Sequence, residues 1–453
     1  MQGERRRSKR LRCRLPIKYE VIRKEGEGGI TFPTFIRDIS VIGLSFYTYE
    51  LINLDSLIKI SFPLSAEQSL SFLTQVKRVE KAQSKEMGEY IIGVEIEKIE
   101  PSDLGRLKEF LELCDIEKVL DEMNLENVTD IHFLANSFPM VKRYGHLTPG
   151  VERYFSREAV QGLLFHILDD YQYRTFQEQR EINFIYSYRN MRFRVNLHFQ
   201  QENVEGVFRI IPPQIKSLTD LGLPPTVEEF LSHKRGLVLI AGRTGSGKST
   251  TLASMVEHIN NTREGIVLCI EEPIEYVHQS KSCIIKQREV GRDTLSFFNA
   301  TKNALRQNPD VLVIGEILEA ETMEIALTAA ESGALVLTTI HAPNSMYALD
   351  RVMSFFPPDL QPHLLMRLSL TLIGLITQEL LPRKDEEGLV LASEILVVNY
   401  AMRRVIQTGD WKQIPTILQT NKRIGMQSME DSLRMLCERG VISQEYLRDY
   451  YIK

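Results

Sequence analysis

The apolar positions change their period along the chain. Between residues 17 and 96 they fall in short β-branched and aromatic runs, at 17–22, 34–36, 43–48, 57–62, 71–79 and 90–96, with turn signals between them. That pattern predicts strands. At 101–113 the period becomes helical, with Leu104, Leu107, Phe110 and Leu111 on one face. Several short strands followed by one closing helix predict a small β-barrel.

A second stretch mixes both periods. Ile116, Val119, Leu120 and Met123 mark a helix, and so do Val160, Leu163, Leu164, Ile167 and Leu168. Residues 182–188 and 192–199 read as paired strands, and 206–211 as another. Pro212-Pro213 breaks the chain, 216–225 reads as a linker, and a domain boundary is expected near 215–225. Beyond it the apolar runs at 237–241, 266–270 and 311–314 are unbroken, as in strands buried on both faces of a parallel sheet. The expected fold class is α/β and α+β multidomain: a β-barrel over 1–115, an α+β domain over 116–222 and a nucleotide-binding domain over 223–453.

Composition narrows this without redirecting it. A chain of 453 residues predicts two to four domains, and 43% hydrophobic with 25% charged residues excludes long disorder. A net charge of −5 speaks against a nucleic-acid partner. The exception is local, since Arg5, Arg6, Arg7, Lys9, Arg10, Arg12 and Arg14 crowd the first residues. None of the five cysteines forms a C-x-x-C pair, which speaks against a zinc site built on such pairs, and their scatter predicts free thiols in a reducing compartment. The basic start leads into no apolar signal segment. The longest uncharged apolar stretch near the C-terminus, 368–378, falls short of the roughly 20 residues of a membrane span. The expectation is a cytoplasmic protein.

The candidate chemistry centres on 242–250, which follows one apolar run and precedes a helical pattern. Gly242, Gly247, Lys248 and Ser249 occupy the fixed places of G-x-x-x-x-G-K-[ST]. Glycines here, with Thr244, Gly245, Ser246 and Thr250 between and after them, let backbone N–H groups turn in on phosphate oxygens. The helix start adds partial positive charge, Lys248 supplies a cation for the outer phosphates, and Ser249 offers a hydroxyl to Mg²⁺. The expected ligand is ATP with Mg²⁺. Three more apolar runs end in polar groups: Glu271-Glu272-Pro273-Ile274-Glu275, Gly315-Glu316 in a Walker B arrangement, and Thr338-Thr339-Ile340-His341. A parallel sheet brings such ends to one edge, facing one nucleotide.

These segments, with Gln287–Asp293 and Ala326–His341, resemble the secretion and type IV pilus ATPases. Ala401–Ile406 and Gly425–Asp431 place the resemblance in the PilT/PilU-like retraction branch. It implies a PAS-like α+β middle domain and a RecA-like P-loop ATPase domain with C-terminal helices. It also implies a homo-hexamer working with an inner-membrane pilus platform protein and another pilus ATPase. Membrane association would be peripheral, at the inner face of the cytoplasmic membrane. Glu275 is expected as general base with Glu316 as its competitor, Glu316 also fixing the Mg²⁺ shell, and His341 as the coupling residue. On spacing alone Arg194 and Arg209 read as surface arginines paired with Glu181 or Glu205; the resemblance makes them nucleotide sensors. Glu272, Leu318-Glu319, Ala334 and Arg243 depart from the family pattern. These departures bear on turnover more than on ATP binding.

The first hundred residues carry a separate pair of motifs. Arg6-Arg7-Ser8-Lys9-Arg10 contains R-x-x-x-R, and Asp38–Gly43 reads D-x-S-x-x-G. In this order and in a strand-rich setting they resemble the PilZ domain, which implies binding of cyclic di-GMP. Arginine forks suit phosphate and the faces of guanine. Asp38 would accept from a guanine edge, Ser40 would bond a phosphate or ribose oxygen, and Gly43 would permit close approach. The combined expectation is an ATP-hydrolysing motor of the pilus retraction class regulated by cyclic di-GMP. The alternative is a weakly active accessory subunit that binds a separate retraction motor. A nucleic-acid motor or a nucleotide kinase on the same loop is a further reading, disfavoured by acidic charge and the lack of an identifiable acceptor pocket.

Overall fold

In the computed structural model, which describes residues 9–22, 30–65, 67–82, 88–143, 146–212, 214–385 and 388–452, the polarity pattern resolves into three sheets. They lie in two compact units, Met1–Ile211 and Pro212–Lys453.

The first sheet is a closed barrel. Its strands are β1 (Pro16–Val21), β2 (Thr31–Ile39), β3 (Gly43–Thr48), β4 (Leu57–Pro63), β5 (Ser69–Lys81) and β6 (Tyr90–Lys98), in the order β1-β2-β3-β6-β5-β4. Alternation explains it. Along β4, Ile58, Ile60 and Phe62 are buried, alternating with the exposed Leu57 and Lys59 and the half-buried Ser61. The helix Pro101–Leu113 starts on a proline and buries Leu107, Phe110 and Leu111. The Phe110 ring meets Phe62 edge-on at 5.8 Å between centroids.

The second sheet is antiparallel throughout, with the order β10-β11-β12-β7-β8-β9. It comprises β7 (Val128–Phe133), β8 (Met140–Arg143), β9 (His146–Pro149), β10 (Glu181–Tyr188), β11 (Met191–Gln200) and β12 (Asn203–Ile211). Two helices accompany it, Arg157–His166 capped by Ser156 and Asp170–Gln179 opened by a capping box of Asp169 and Gln172. Barrel and sheet share one continuous apolar core that runs from Leu11 to Phe208. Gly162 shows how close the two approach: a Cβ there would lie 2.5 Å from the Cys114 sulfur and 3.7 Å from the Cys13 Cβ. Ser156 Oγ donates to the Leu64 carbonyl at 2.8 Å. Arg14, 5% exposed, reaches Asp170 at 2.5 Å and lies 4.0 Å over the Tyr173 ring.

The second unit holds a seven-stranded sheet. Its strands are β13 (Gly236–Ala241), β14 (Gly265–Glu271), β15 (Cys283–Glu289), β16 (Val311–Ile314), β17 (Leu335–Ile340), β18 (Leu372–Pro382) and β19 (Leu389–Val397). The order is β15-β14-β16-β17-β13-β18-β19, parallel except for the antiparallel β18–β19 hairpin. One sequence expectation changes here. The stretch 216–225, read as a linker, is packed: Leu218 and Leu223 are buried in the core with Phe230. The apolar stretch 368–378 is divided between the end of the helix Gln361–Thr371 and β18. No described helix is long and apolar enough to cross a membrane.

Candidate functional site

Parallel pairing aligns the strand ends. β13 pairs with β17 up to Ala241–Ile340, β17 with β16 up to Ile314–Thr338, and β16 with β14 up to Ile270–Ile314. The residues that follow these ends are Gly242, His341, Gly315-Glu316 and Glu271–Glu275, so the sheet delivers all four segments to one edge.

At the centre is the turn from β13 into the helix Lys248–Thr262. Gly245 and Gly247 adopt positive φ values of 77° and 89°, which let this tight turn form. Lys248 Nζ folds back on the loop, donating to the carbonyls of Gly242 at 2.9 Å and Arg243 at 3.0 Å. It also lies 3.5 Å from His341 Nδ1. The other imidazole nitrogen, Nε2, stands 3.2 Å from a Glu316 carboxylate oxygen. A phosphate-loop lysine, a strand-end histidine and a strand-end glutamate therefore form one contiguous set. Partial burial lowers the Lys248 pKa, against the opposing pull of Glu316. Glu272 moves up, chiefly through burial and then through the neighbouring charges of Glu316 and Glu289.

Glu316 is held by its backbone. Gly315 N–H donates to Ile270 O at 2.8 Å and Ile317 N–H to Thr339 O at 3.1 Å. Thr339 Oγ1 donates to Gly315 O at 2.7 Å, which gives the strand-end threonine its task. Glu275 sits between two pinned residues. Ile274 N–H donates to Glu289 at 3.0 Å, and Tyr276 O accepts from Gln287 at 2.8 Å. The Tyr276 hydroxyl lies 3.1 Å from Thr250 Oγ1, tying this loop to the phosphate loop. Sequence reasoning named Gln287 and Thr339 as motif positions without their supporting bonds, and missed Tyr276, because these hydrogen bonds join separate elements of the chain.

Ser249 is exposed in the first turn of the helix. A Ser249 hydroxyl and a Glu316 carboxylate are hard oxygen donors of the kind Mg²⁺ prefers. No cluster of three or more His, Cys, Asp or Glu side chains suited to a metal occurs among the described residues. Such a cluster is not required when phosphates and waters supply most of the coordination shell.

Arg194 and Arg209 belong to the first unit. They are direct cross-strand partners on β11 and β12, both exposed, and Arg209 Nε bonds Asp130 at 2.9 Å. In the barrel, Arg10 reaches Asp38 at 2.7 Å, and Ser45 Oγ donates to the second Asp38 oxygen at 2.8 Å. Ser40 is 2% exposed, and its hydroxyl donates to Gly43 O at 3.1 Å. Gly43 is dictated by packing, since a Cβ there would lie 2.2 Å from the Val94 carbonyl oxygen. Arg6 and Arg7 lie outside the described residues.

Residues 116–448 match the family model of the type II/IV secretion system protein, and residues 4–113 that of the PilZ domain. The twitching motility protein of Neisseria gonorrhoeae is 40% identical over 316 residues, spanning 70% of this chain and 84% of that protein. The type IV pilus retraction ATPase PilT of Pseudomonas aeruginosa is 37% identical over 336 residues, spanning 74% and 97%. Among solved structures, the pilus retraction motor PilT with bound ADP superposes with a TM-score of 0.66 at 36% identity, covering 73% of this chain and 95% of that one.

Proposed function

Because the chain belongs to the type II/IV secretion system protein family, is PilT-like within it and carries a PilZ domain at its N-terminal end, we propose that it is a hexameric, Mg²⁺-dependent ATPase of the pilus retraction class regulated by cyclic di-GMP. The observation that carries this reading is the contiguous set Lys248, His341 and Glu316 at the edge of the parallel sheet.

In this reading Lys248 leaves the carbonyls of Gly242 and Arg243 for the outer phosphates, while the loop amides hold the oxygens. Ser249 and Glu316 hold Mg²⁺, which supplies charge neutralisation on the phosphates. Glu275 accepts the proton of the attacking water, and Glu316 is the competing base. His341, between Lys248 and Glu316, registers whether the phosphate is present. Arg194 and Arg209 are assigned to nucleotide sensing on the family resemblance, and Arg209→Ala tests them through the ATPase rate. The protein would work at the cytoplasmic face of the membrane with a pilus platform protein and a second pilus ATPase. Cyclic di-GMP would be gripped by the N-terminal arginines and Asp38, and it regulates only if it binds two states of the motor with different affinity.

Steady-state phosphate release tests the central assignment. Glu316→Gln is expected to retain ATP binding and lose about 10²–10³ in rate, the usual scale for one electrostatic contact to a transition state. Equal release by wild type and variant, both near zero, would favour the accessory-subunit reading.

A further inference from the structure

Gln378 lies in β18, one residue beyond the last β13–β18 pair, Ala241–Thr377. It therefore sits where β13 leaves the sheet to become the phosphate loop and β18 continues. It is 2% exposed, a large buried polar side chain that follows the buried Thr377 at the end of the apolar run 372–376. Its Nε2 donates to the Ser246 carbonyl at 2.7 Å, across 132 residues of sequence. The same residue underlies both ends of the loop. A Cβ on Gly242 would meet the Gln378 carbonyl oxygen at 2.7 Å, and one on Gly247 would meet its Nε2 at 3.2 Å.

The peptide it holds is Ser246–Gly247. In a planar trans peptide the C=O and the N–H point to opposite sides. Fixing the Ser246 carbonyl onto Gln378 therefore aims the Gly247 N–H away from β18. Gly247, with φ of 89°, is the kind of residue at which a peptide can otherwise rotate with little steric penalty. An inward ring of N–H groups is what makes a loop a phosphate cradle, and one flipped peptide replaces a donor by a repelling carbonyl. We infer that Gln378 is a positioning residue for nucleotide binding, which keeps the Ser246–Gly247 peptide in the orientation that presents the Gly247 N–H to phosphate.

The choice of an amide fits. The hydrogen bond needs a donor, which a buried carboxylate or thioether of the same length lacks. The Gln378 Oε1 atom and the Ser246 hydroxyl, both buried, have no hydrogen-bond partner among the described residues, so among these the side chain bonds through Nε2. The inference rests on reading 242–250 as a phosphate loop, and the test separates the two.

The test measures binding of a fluorescent mant-ADP with Mg²⁺ to the full chain as wild type, Gln378→Met and Gln378→Glu, with thermal melting of each and the KM and kcat for ATP. The expected result for Met is a dissociation constant and a KM raised roughly three- to tenfold, the scale of one hydrogen bond. The melting temperature would stay close to wild type, and kcat at saturation would change less than KM. Glu, assayed at about pH 9 to favour the ionised carboxylate, should be weaker still, and it carries the test if Met does not fold. A merely structural residue would lower the melting temperature and the active fraction while leaving the affinity of the folded protein alone. Affinity of either folded variant within twofold of wild type overturns the inference. So does loss of folding in both, since aiming one peptide is not needed for the fold. Failure of the wild type itself to bind mant-ADP would instead overturn the phosphate-loop reading beneath it.

Discussion

Asp38 holds both Arg10 and the Ser45 hydroxyl, so a dinucleotide bound there as proposed would compete for a residue that is already satisfied. Arg10→Ala is expected to weaken cyclic di-GMP binding at least tenfold, the loss of a charge-assisted contact to phosphate, as read by calorimetry. Unchanged binding would remove Arg10 from the site. Glu394, on β19, gives a pH prediction. Its carboxyl is buried and accepts from the Ser345 N–H at 3.1 Å, and burial raises its pKa above the ordinary 4.5. The folded protein then keeps a proton that the unfolded chain has released, so stability falls as pH rises above 4.5. Glu394→Gln should raise the melting temperature at about pH 8 and give no gain at about pH 4, where both states are protonated. Melting curves at the two pH values check this. At this scale the placing of Glu316 and His341 just past strand ends was readable from sequence, because each follows a largely apolar run. The tasks of Tyr276, Gln287 and Gln378 were not, because what they do depends on which strand lies beside which.

Elements were legible where one period persisted. The barrel strands and the helix Pro101–Leu113 follow from alternation giving way to helical spacing. The stretch 216–225 was not, because prolines and glycine signal turns whether or not the turns are packed, and Leu218 and Leu223 are buried. Residues 422–432 show how a short element depends on one position. Gly425 ends the turn Lys422–Ile424 with φ of 83°, and a Cβ there would lie 1.9 Å from Thr226 Oγ1. Two residues on, Gln427 bonds the Ser393 carbonyl at 2.8 Å and bridges Ile395 on β19. Gly425→Ala combines a left-handed backbone with a steric clash and should cost roughly 2–4 kcal/mol, measurable by denaturant titration. Wild-type stability in that variant would show that the helix Thr226–Ser232 yields without strain.

Across the whole molecule, the matched PilZ and secretion-family segments meet between residues 113 and 116, yet no gap in packing follows that seam. Calorimetry of residues 1–211 should show one cooperative transition, because the barrel and the second sheet share their interior. Two separated transitions would contradict it. A fragment ending at residue 115 would expose Leu111 and Cys114, buried in the intact chain, and should melt lower and aggregate. Periodicity marks where strands give way to helices, but the sequence does not say whether two neighbours share a core, since that depends on which faces meet. The fit of Gly162 over Cys114 has a consequence for descent. A larger residue at either place must be answered at the other, across a boundary that looks like a simple joint. This barrel is no interchangeable cartridge: to graft it onto another motor, or to replace it with a foreign one, is to redesign both sides of the join at once.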